Sequence, residues 1–430
     1  MKSTAVLVCL VFLAPGLLTA QTTDAMQEKF KALEERIAAL EAEVQALKSA
    51  QSTPAAPSPA AAMAEEKAPP PAEAQQPAPT APPTVAATPV LPGESAGQLP
   101  VYGGASAAAK ALNPDISVIG DFLGTVGHNP VAPVPSFEMH ESEVGFQAIV
   151  DPYARADFFF SFGEEGVNLE EGYITFTSLP FGLVAKAGKM RSAFGKVNTL
   201  HNHVLPWTDR PMVTDNLVGG EDGIDDAGFS VTRILPAPKG IFLEGTAQLF
   251  RGDSTNVFHA YNNSDVSPVF NVHGYSDLTE STNLDLGFSY AQGHNFSGPQ
   301  FMTRLYDAYG TLRWKPLRRA IYHSFVGRSE FIWSDHQQTG GAQHAFGFYV
   351  SGDYQPRRRW FIGGRYDYSE RAQAANLTDS GASAILTYWP SEFSQLRGQY
   401  RFARYAGGHD ASELRFQLLF SLGAHGAHPF

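Results

Sequence analysis

Cysteine, charge and long apolar runs are all scarce in this sequence. Cysteine occurs once in 430 residues, and Asp, Glu, Lys and Arg together make up 17% of the chain. The one thiol, Cys9, lies in the apolar segment from Ala5 to Ala20 that follows Lys2, which predicts a secretory signal peptide over 1–20. An exported chain without that segment has no thiol, which excludes disulfide scaffolds, thiolate metal sites and cysteine nucleophiles.

The missing features also exclude classes of function. The formal net charge is -12, and an acidic chain is a poor ligand for nucleic acid. No segment after Ala20 is apolar over the roughly 18 residues that a membrane helix needs. The sequence has no G-x-S-x-G, HExxH or P-loop motif, so we expect no enzyme, with an outer-membrane hydrolase as the alternative.

Two segments of distinct character precede the main domain. Between 24 and 49, apolar residues recur at alternating spacings of four and three, which predicts a coiled coil with Phe30, Ile37 and Val44 at position a. An amphipathic helix packed on its own domain is the alternative. Residues 50–114 are rich in Pro and Ala and predict an extended, semi-stiff linker.

Residues 115–430 alternate apolar and polar side chains with period two. In the last such segment, Leu414, Phe416 and Leu418 share one face, which predicts a strand. The pattern predicts about sixteen strands, near 116–126, 139–150, 153–163, 168–178, 182–192, 226–235, 240–250, 268–276, 281–292, 301–314, 321–333, 343–354, 359–369, 380–389, 393–404 and 412–423.

The connections between these strands alternate in length. Short turns, such as LPFG at 179–182, alternate with longer loops near 127–138, 163–167, 193–225, 251–267, 293–300, 334–342, 370–379 and 405–411. This alternation and the apolar faces predict an all-β fold, a transmembrane antiparallel β-barrel of the outer membrane. An even strand number places both barrel ends, and the N-terminal coil, in the periplasm. A water-soluble β-sandwich or propeller is the alternative.

A motif leads into the third long loop. The pattern G-K-x-x-x-x-F-G, followed by an acidic-Arg pair, is matched by Gly188, Lys189, Phe194, Gly195, Asp209 and Arg210. Together with segments 141–162, 169–198 and 205–213, it resembles the phosphate-selective porin family (the porin O and P superfamily), which implies a porin barrel. Similar sequences carry the label of zinc-regulated or TonB-dependent outer-membrane receptors, but such receptors thread about 22 strands around a plug. No loop has a dense Lys run, so the sequence does not support phosphate specificity.

Charged residues on the inward phase and in one loop are the candidate pore residues. The arginines are Arg313, Arg328, Arg365, Arg397, Arg401 and Arg415, and the carboxylates of loop 193–225 are Asp209, Asp215, Glu221, Asp222 and Asp225. An acidic loop folded inward against a basic wall would narrow the pore and set a transverse field. The alternative is that these charges only solvate the lumen and the loop.

Histidines are the second candidate chemistry. His201 and His203 are candidate zinc ligands, because imidazoles at i and i+2 bind Zn²⁺ when a third ligand converges. His425 and His428 fall on the opposite rim in this topology and cannot complete that site. Ordinary hydrogen bonding is the alternative for all four. The terminal Phe430 is similar to the aromatic residue that barrel insertion machinery reads.

The sequence thus predicts an outer-membrane porin of a Gram-negative bacterium, a passive diffusion channel for small hydrophilic solutes or ions. Its expected partners are outer-membrane lipid, the barrel insertion machinery and further copies of the chain, with a trimer favoured. A substrate-specific or zinc-uptake receptor is one alternative. A barrel anchor for a periplasmic coiled-coil tether is another.

Overall fold

Strands account for most of the computed structural model, which describes residues 114–163, 166–254 and 256–423. Each strand pairs antiparallel with its neighbours in sequence, and β1 pairs with β16 to close the barrel. The sixteen strands are β1 (Asp115–His128), β2 (Phe137–Asp151), β3 (Ala154–Gly163), β4 (Gly166–Leu179), β5 (Leu183–Arg191), β6 (Asp225–Ile234), β7 (Ile241–Phe250), β8 (Ser267–Thr279), β9 (Thr282–Asn295), β10 (Gly298–Trp314), β11 (Ser324–Gln338), β12 (Gly341–Arg357), β13 (Trp360–Arg371), β14 (Ala374–Ser391), β15 (Ser394–Tyr405) and β16 (His409–Gly423).

The predicted sixteen-strand barrel is confirmed, and the soluble sandwich or propeller is wrong. The predicted signal peptide over 1–20, the coil over 24–49 and nearly all of the linker over 50–114 lie outside the described residues. The same holds for His425, His428 and Phe430.

The two faces of the barrel differ in polarity. On β9, Leu286 and Phe288 are 49% and 67% exposed on the outer face, whereas Asp285 and Ser289 are buried inside. An exterior of exposed aliphatic and aromatic side chains suits hydrocarbon, and a closed ring leaves no unpaired strand edge in it. The fold is therefore a transmembrane β-barrel.

Helices are few in the described part of the chain. They are α1 (Met212–Leu217) and three short 3-10 turns, Pro180–Gly182, Val197–Thr199 and Asn202–Val204. No helix there is long and apolar enough to cross a membrane.

The predicted strands are correct, but most of the predicted long loops are wrong. Hairpins β11–β12 and β15–β16 turn within 339–340 and 406–408, where the sequence predicts loops at 334–342 and 405–411. The strands continue past the apolar belt, because their backbone groups stay paired after the side chains become polar. Long connections remain at 129–136, 192–224 and 251–266, on what we call the loop rim. The opposite end, which carries the β4–β5 connection, is the turn rim.

Two β-bulges break the period-two alternation in one part of the wall. In the pairing of β1 with β2, His140 of β2 is an extra residue without a partner on β1. In the pairing of β3 with β4, Glu170 of β4 is an extra residue without a partner on β3. A bulge lets consecutive side chains turn to one face. Glu170 and Glu171 are accordingly both buried inside the barrel.

Candidate functional site

The connection between β5 and β6, residues 192–224, lies inside the barrel and is called the inner loop below. It packs its apolar side chains against inward-facing apolar residues of the wall. Phe194, Trp207 and Val213 each expose 1% or less of their surface. The ring of Trp207 meets that of Tyr349 on β12 edge to face, with centroids 5.1 Å apart. Apolar burial therefore holds the loop in the lumen.

Wall side chains also accept hydrogen bonds from the loop backbone. Glu330 on β11 accepts from the N–H groups of Lys196 and Val197, at 3.2 Å each. Gln399 on β15 accepts from the N–H of Thr208 at 3.0 Å. Buried backbone groups need such partners, so polar residues on distant strands define the path of the loop.

The two glycines of the motif permit close approach to the wall. Gly195 has a φ of +62°, and a Cβ there would lie 2.0 Å from Oε1 of Glu330. Gly188 has a φ of +142°, and a Cβ there would lie 2.2 Å from the backbone oxygen of Gly172. Neither a side chain nor an ordinary backbone conformation fits at these positions.

Arg210 fastens the inner loop to itself. Its guanidinium donates to the carbonyls of Val197 and Leu200 at 3.1 and 2.7 Å and to the Asn202 side chain at 3.0 Å. Burial lowers the pKa of Arg210 to about 10, which leaves it charged at neutral pH. The two residues of the acidic-Arg pair therefore have different contacts: Arg210 binds the inner loop, and Asp209 binds the barrel wall.

Asp209 connects the loop to arginines on β13 and β15. Its Oδ1 is 3.1 Å from Nη2 of Arg365, and its Oδ2 is 3.2 Å from Nε of Arg401. Burial acts to raise the pKa of Asp209, but the two guanidiniums outweigh it and hold that pKa well below its usual range. The carboxylate is therefore charged and held on both sides.

Arg397 and Arg415 extend this basic surface. Arg397 on β15 is buried and donates to the carbonyl of Trp207 at 3.0 Å. Arg415 on β16 lies 3.2 Å from Glu413, which is also 3.4 Å from Arg401. Predicted arginines on three nearby strands, β13, β15 and β16, thus form one network, which we call the arginine wall.

The remaining predicted arginines lie elsewhere in the lumen. Nη1 of Arg313 is 3.8 Å from Asp285, and Arg328 pairs closely with Asp353. Both arginines line a cavity beneath the inner loop, on the side of the turn rim.

The acidic residues of the loop do not form one group. Asp215 and Glu221 line a small cavity on the side of the loop rim, where Oε1 of Glu221 is 3.1 Å from Nε2 of His140. A hydrogen bond from His140 is the main reason that the pKa of Glu221 is lowered.

Asp222 and Asp225 lie away from the arginine wall. Asp222 is exposed, and Asp225 opens β6, where its carboxylate is 2.9 Å from Nζ of the motif residue Lys189. In the strand order of the closed barrel, β6 lies on the opposite side from β13, β15 and β16, which carry the arginine wall. The predicted acidic face is therefore corrected to the contact of Asp209, because Glu221 and Asp225 pair with His140 and Lys189 instead of the arginine wall.

The inner loop separates two cavities. The larger, of about 830 Å³, is lined by Leu205 and Trp207 of the loop and opens toward the turn rim. The smaller, of about 170 Å³, is lined by Thr208 and Arg210 and lies on the loop-rim side. Among the described residues, none lines both cavities. Segment 205–210 thus lies between the two cavities.

The two predicted zinc ligands meet carboxylates of the wall. Nδ1 of His201 is 2.8 Å from Oε2 of Glu143 and 2.7 Å from Oε2 of Glu170, and Nδ1 of His203 is 3.6 Å from the same Glu143 oxygen. Burial lowers the pKa of His203. Burial also opposes a charge on His201, but Glu143 and its neighbours outweigh it and raise the pKa of His201 well above its usual value.

The carboxylates of this contact are not among the site residues that the sequence predicts. Glu141 and Glu143 are two residues apart on β2 and so share the inward face, a signal that was available. Glu170 and Glu171 are consecutive, and period two assigns one of them to the lipid face. Only the β-bulge brings both inside.

Sequence comparison finds a related protein and no family profile. No protein-family profile matches the chain. An uncharacterized protein of Aquifex aeolicus (strain VF5) is 27% identical over 388 residues, which cover 75% of this chain and 81% of that protein.

Two solved structures have the same fold. The anion-selective porin from Comamonas acidovorans superposes with a TM-score of 0.52 at 11% identity, over 72% of this chain and 99% of the porin. OmpT, an outer-membrane protein of Vibrio cholerae, in its trimer form, superposes with a TM-score of 0.50 at 8% identity, over 72% and 100%. The fold of this chain is therefore that of outer-membrane porins.

Proposed function

We propose that this protein is an outer-membrane porin, a passive diffusion channel for small hydrophilic solutes or ions. The observation that carries the proposal is a closed transmembrane barrel with the inner loop across its lumen, where segment 205–210 lies between two cavities that charged side chains help to line. We propose that this segment is the constriction of the pore. Such a constriction filters solutes by size and by charge. This proposal assigns no enzymatic activity to the chain.

The lining of the larger cavity favours anions as the preferred solutes. Lys186, Lys196, Arg313 and Arg328 line it together, with Glu244 among the opposing carboxylates. Cations in a lumen with low-dielectric walls raise the local concentration of anions. We propose a preference for small anionic solutes, without specificity for phosphate.

Deletion of residues 200–222 tests the constriction. The shortened loop loses Trp207 and Asp209 and with them its contacts to the arginine wall, so single-channel conductance in planar bilayers should rise. Deletion of 262–264, an exposed segment of the loop rim that lines neither cavity, is the matched control and should leave conductance unchanged. If the first deletion folds as a barrel and conducts as the wild type does, the inner loop is not the constriction.

Family and assembly are further parts of the proposal. The resemblance to the phosphate-selective porins rests on motif residues that fold and place the inner loop, which supports a distant relationship to that family. A homotrimer is proposed with outer-membrane lipid around it and the N-terminal coil in the periplasm. Cross-linking of the full-length protein in native membranes tests the trimer, and a monomer there would contradict it.

The uptake-receptor and anchor alternatives predict different transport behaviour. A receptor would show uptake that depends on an energy source, and an anchor would show no conductance. Passive conductance by the purified protein distinguishes the porin from both.

A further inference from the structure

The strongest unexplained feature is the group of buried ionisable side chains where the inner loop meets β2 and β4. Glu141, Glu143 and His203 bring one ligand atom each within 4.8 Å of one another, and so do Glu143, Glu170 and His201. Glu143 belongs to both sets, and its Oε2 faces the Nδ1 atoms of both histidines. Two imidazoles and three carboxylates therefore form two adjoining sets that share Glu143.

The side chains of the group are largely buried, and His201 and His203 lie at the edge of the larger cavity. Glu141, Glu143 and His203 expose 6%, 4% and 7% of their surface, and Glu170 and His201 expose 8% and 4%. The ring of Phe159 on β3 covers His201, with centroids 5.5 Å apart. This packing fixes the ligand atoms as a built site requires.

Several of these ligand atoms lack a hydrogen-bond donor or acceptor. Neither oxygen of Glu141 receives a hydrogen bond from the described protein, and Nδ1 of His203 has no hydrogen-bond partner there. A buried polar atom left in this state costs on the order of 1–3 kcal/mol, and more if it is charged. Glu141 and His203 belong to the same set of ligand atoms, so their unpaired atoms indicate a ligand that accepts several donor atoms at once.

The charge of the group points to a cation. Four carboxyl groups, those of Glu141, Glu143, Glu170 and Glu171, are buried here. The opposing groups are the guanidinium of Arg191, with Nη2 3.8 Å from Glu170, and the imidazole of His201. Buried charges of one sign need compensation by opposite charge or by a metal. A divalent cation supplies two charges at the centre of the group.

We propose that one divalent transition-metal cation of the zinc type binds at Glu143, with its other ligands drawn from Glu141, Glu170, His201 and His203. Imidazole nitrogen and carboxylate oxygen form the donor set of Zn²⁺ and related ions, and no thiolate is needed. The metal joins the inner loop, through the histidines, to the barrel wall, through the glutamates. It thereby fixes the loop on the side away from Asp209, a role that rests on the proposed function, whereas metal binding itself does not.

The existing contacts fit this with a small adjustment. In a tetrahedral zinc site with bonds of about 2.0–2.1 Å, ligand atoms lie about 3.4 Å apart. The contacts of 2.7 and 2.8 Å at Nδ1 of His201 would open by about 0.6 Å on binding.

Calorimetric titration of the chelator-treated, tag-free, full-length protein with ZnCl₂ tests the site. We expect saturable binding of one zinc per chain, at least tenfold weaker in E143Q and in H201Q/H203Q. H344Q, which changes an exposed histidine, and H425Q/H428Q are matched controls that should bind as the wild type does. No binding by the wild type, or loss of binding only in H425Q/H428Q, overturns the proposal.

E141Q protects the test against a folding defect. It removes one negative charge from a like-charged group, so it should fold at least as well as the wild type without metal and bind zinc more weakly. Unchanged zinc affinity in E141Q and E143Q would show that a proton shared between carboxylates, not a metal, satisfies the group. Cobalt titration of the wild type should give visible absorption bands of N/O coordination, and their absence also counts against the site.

Single-channel recording separates this inference from the proposed function. In the wild type, the open-channel current should be steady with zinc and noisy with chelator. In H201Q/H203Q, which lacks the histidine ligands, the noise of the current should be the same with zinc and with chelator. Zinc binding by a protein that carries no current would leave the site standing and refute the porin. Current without zinc binding would do the reverse.

Discussion

At the scale of the residue, Asp209 is the most consequential side chain of the inner loop. It is buried between Arg365 and Arg401 and also accepts a hydrogen bond from Gln399. Its role could be anticipated only in part, because the sequence groups it with four other loop carboxylates. Which of these reaches the arginines depends on the path of a loop of 33 residues, and no local pattern encodes that path.

Asp209→Asn should weaken this contact and change the selectivity. The amide removes one carboxylate partner from each guanidinium, although Arg365 keeps Asp367 and Arg401 keeps Glu413. Stability should therefore fall by about 1.5–3 kcal/mol, the worth of a charge-assisted hydrogen bond. The extra positive charge should raise the anion-to-cation permeability ratio by roughly two- to fivefold. Reversal potentials under a KCl gradient measure the second effect. Asp222→Asn, on an exposed residue of the same loop, should change neither property.

Gly195→Ala should destabilise the protein more than a glycine substitution of similar backbone geometry. Both Gly195 and Gly408 have positive φ, so alanine costs about 1–2 kcal/mol at either site. At Gly195 the added Cβ would also meet Glu330 at 2.0 Å, whereas at Gly408 nothing lies within 4 Å. Urea unfolding in detergent should show the larger loss for Gly195→Ala. Equal losses would mean that the loop is not held against Glu330.

At the scale of the element, strands could be predicted and connections could not. Alternating apolar and polar residues identify all sixteen strands, because each must present one face to lipid and one to the lumen. Polarity fails as a sign of loops, since hairpins such as β11–β12 continue with polar residues beyond the membrane. The bulge at Glu170 is equally hidden, because it adds one residue without changing the composition of β4.

A disulfide between α1 and β12 should form if the inner loop lies within the barrel. A Cβ on Gly347 would be 2.7 Å from Cγ2 of Val213, so cysteines at these positions are within reach of each other. Val213→Cys combined with Gly347→Cys should oxidise to a disulfide, visible as a mobility shift that reductant reverses. The single Val213→Cys variant is the control. Free thiols in the folded double variant would place the loop outside the lumen.

At the scale of the whole molecule, charge is arranged around a narrow point. Acidic residues exceed basic ones in the full sequence, 43 to 31, yet the larger cavity collects Lys186, Lys196, Arg313 and Arg328. Composition therefore gives no guide to the solute. The strand order decides which of the charged residues share the lumen.

Replacement of Arg313 and Arg328 by Gln should reduce anion preference. The change removes two positive charges from the lining of the larger cavity, so the permeability ratio should move toward cations by roughly two- to fivefold. Arg318 and Arg319 lie exposed on the turn rim, and their replacement by Gln is the control with the same change in net charge. Equal effects of the two double variants would attribute selectivity to overall charge.

The inner loop also has a consequence for biogenesis. The barrel closes where β1 meets β16, and the loop contacts the strands next to that seam on both sides, Glu143 on β2 through His201 and Gln399 on β15 through Thr208. These contacts span the β1–β16 junction, which cannot close until β16, the last strand of the chain, pairs with β1. We expect the docked loop to act as an internal template that draws the first and last hairpins together, so that variants which release it should accumulate as unclosed intermediates during assembly.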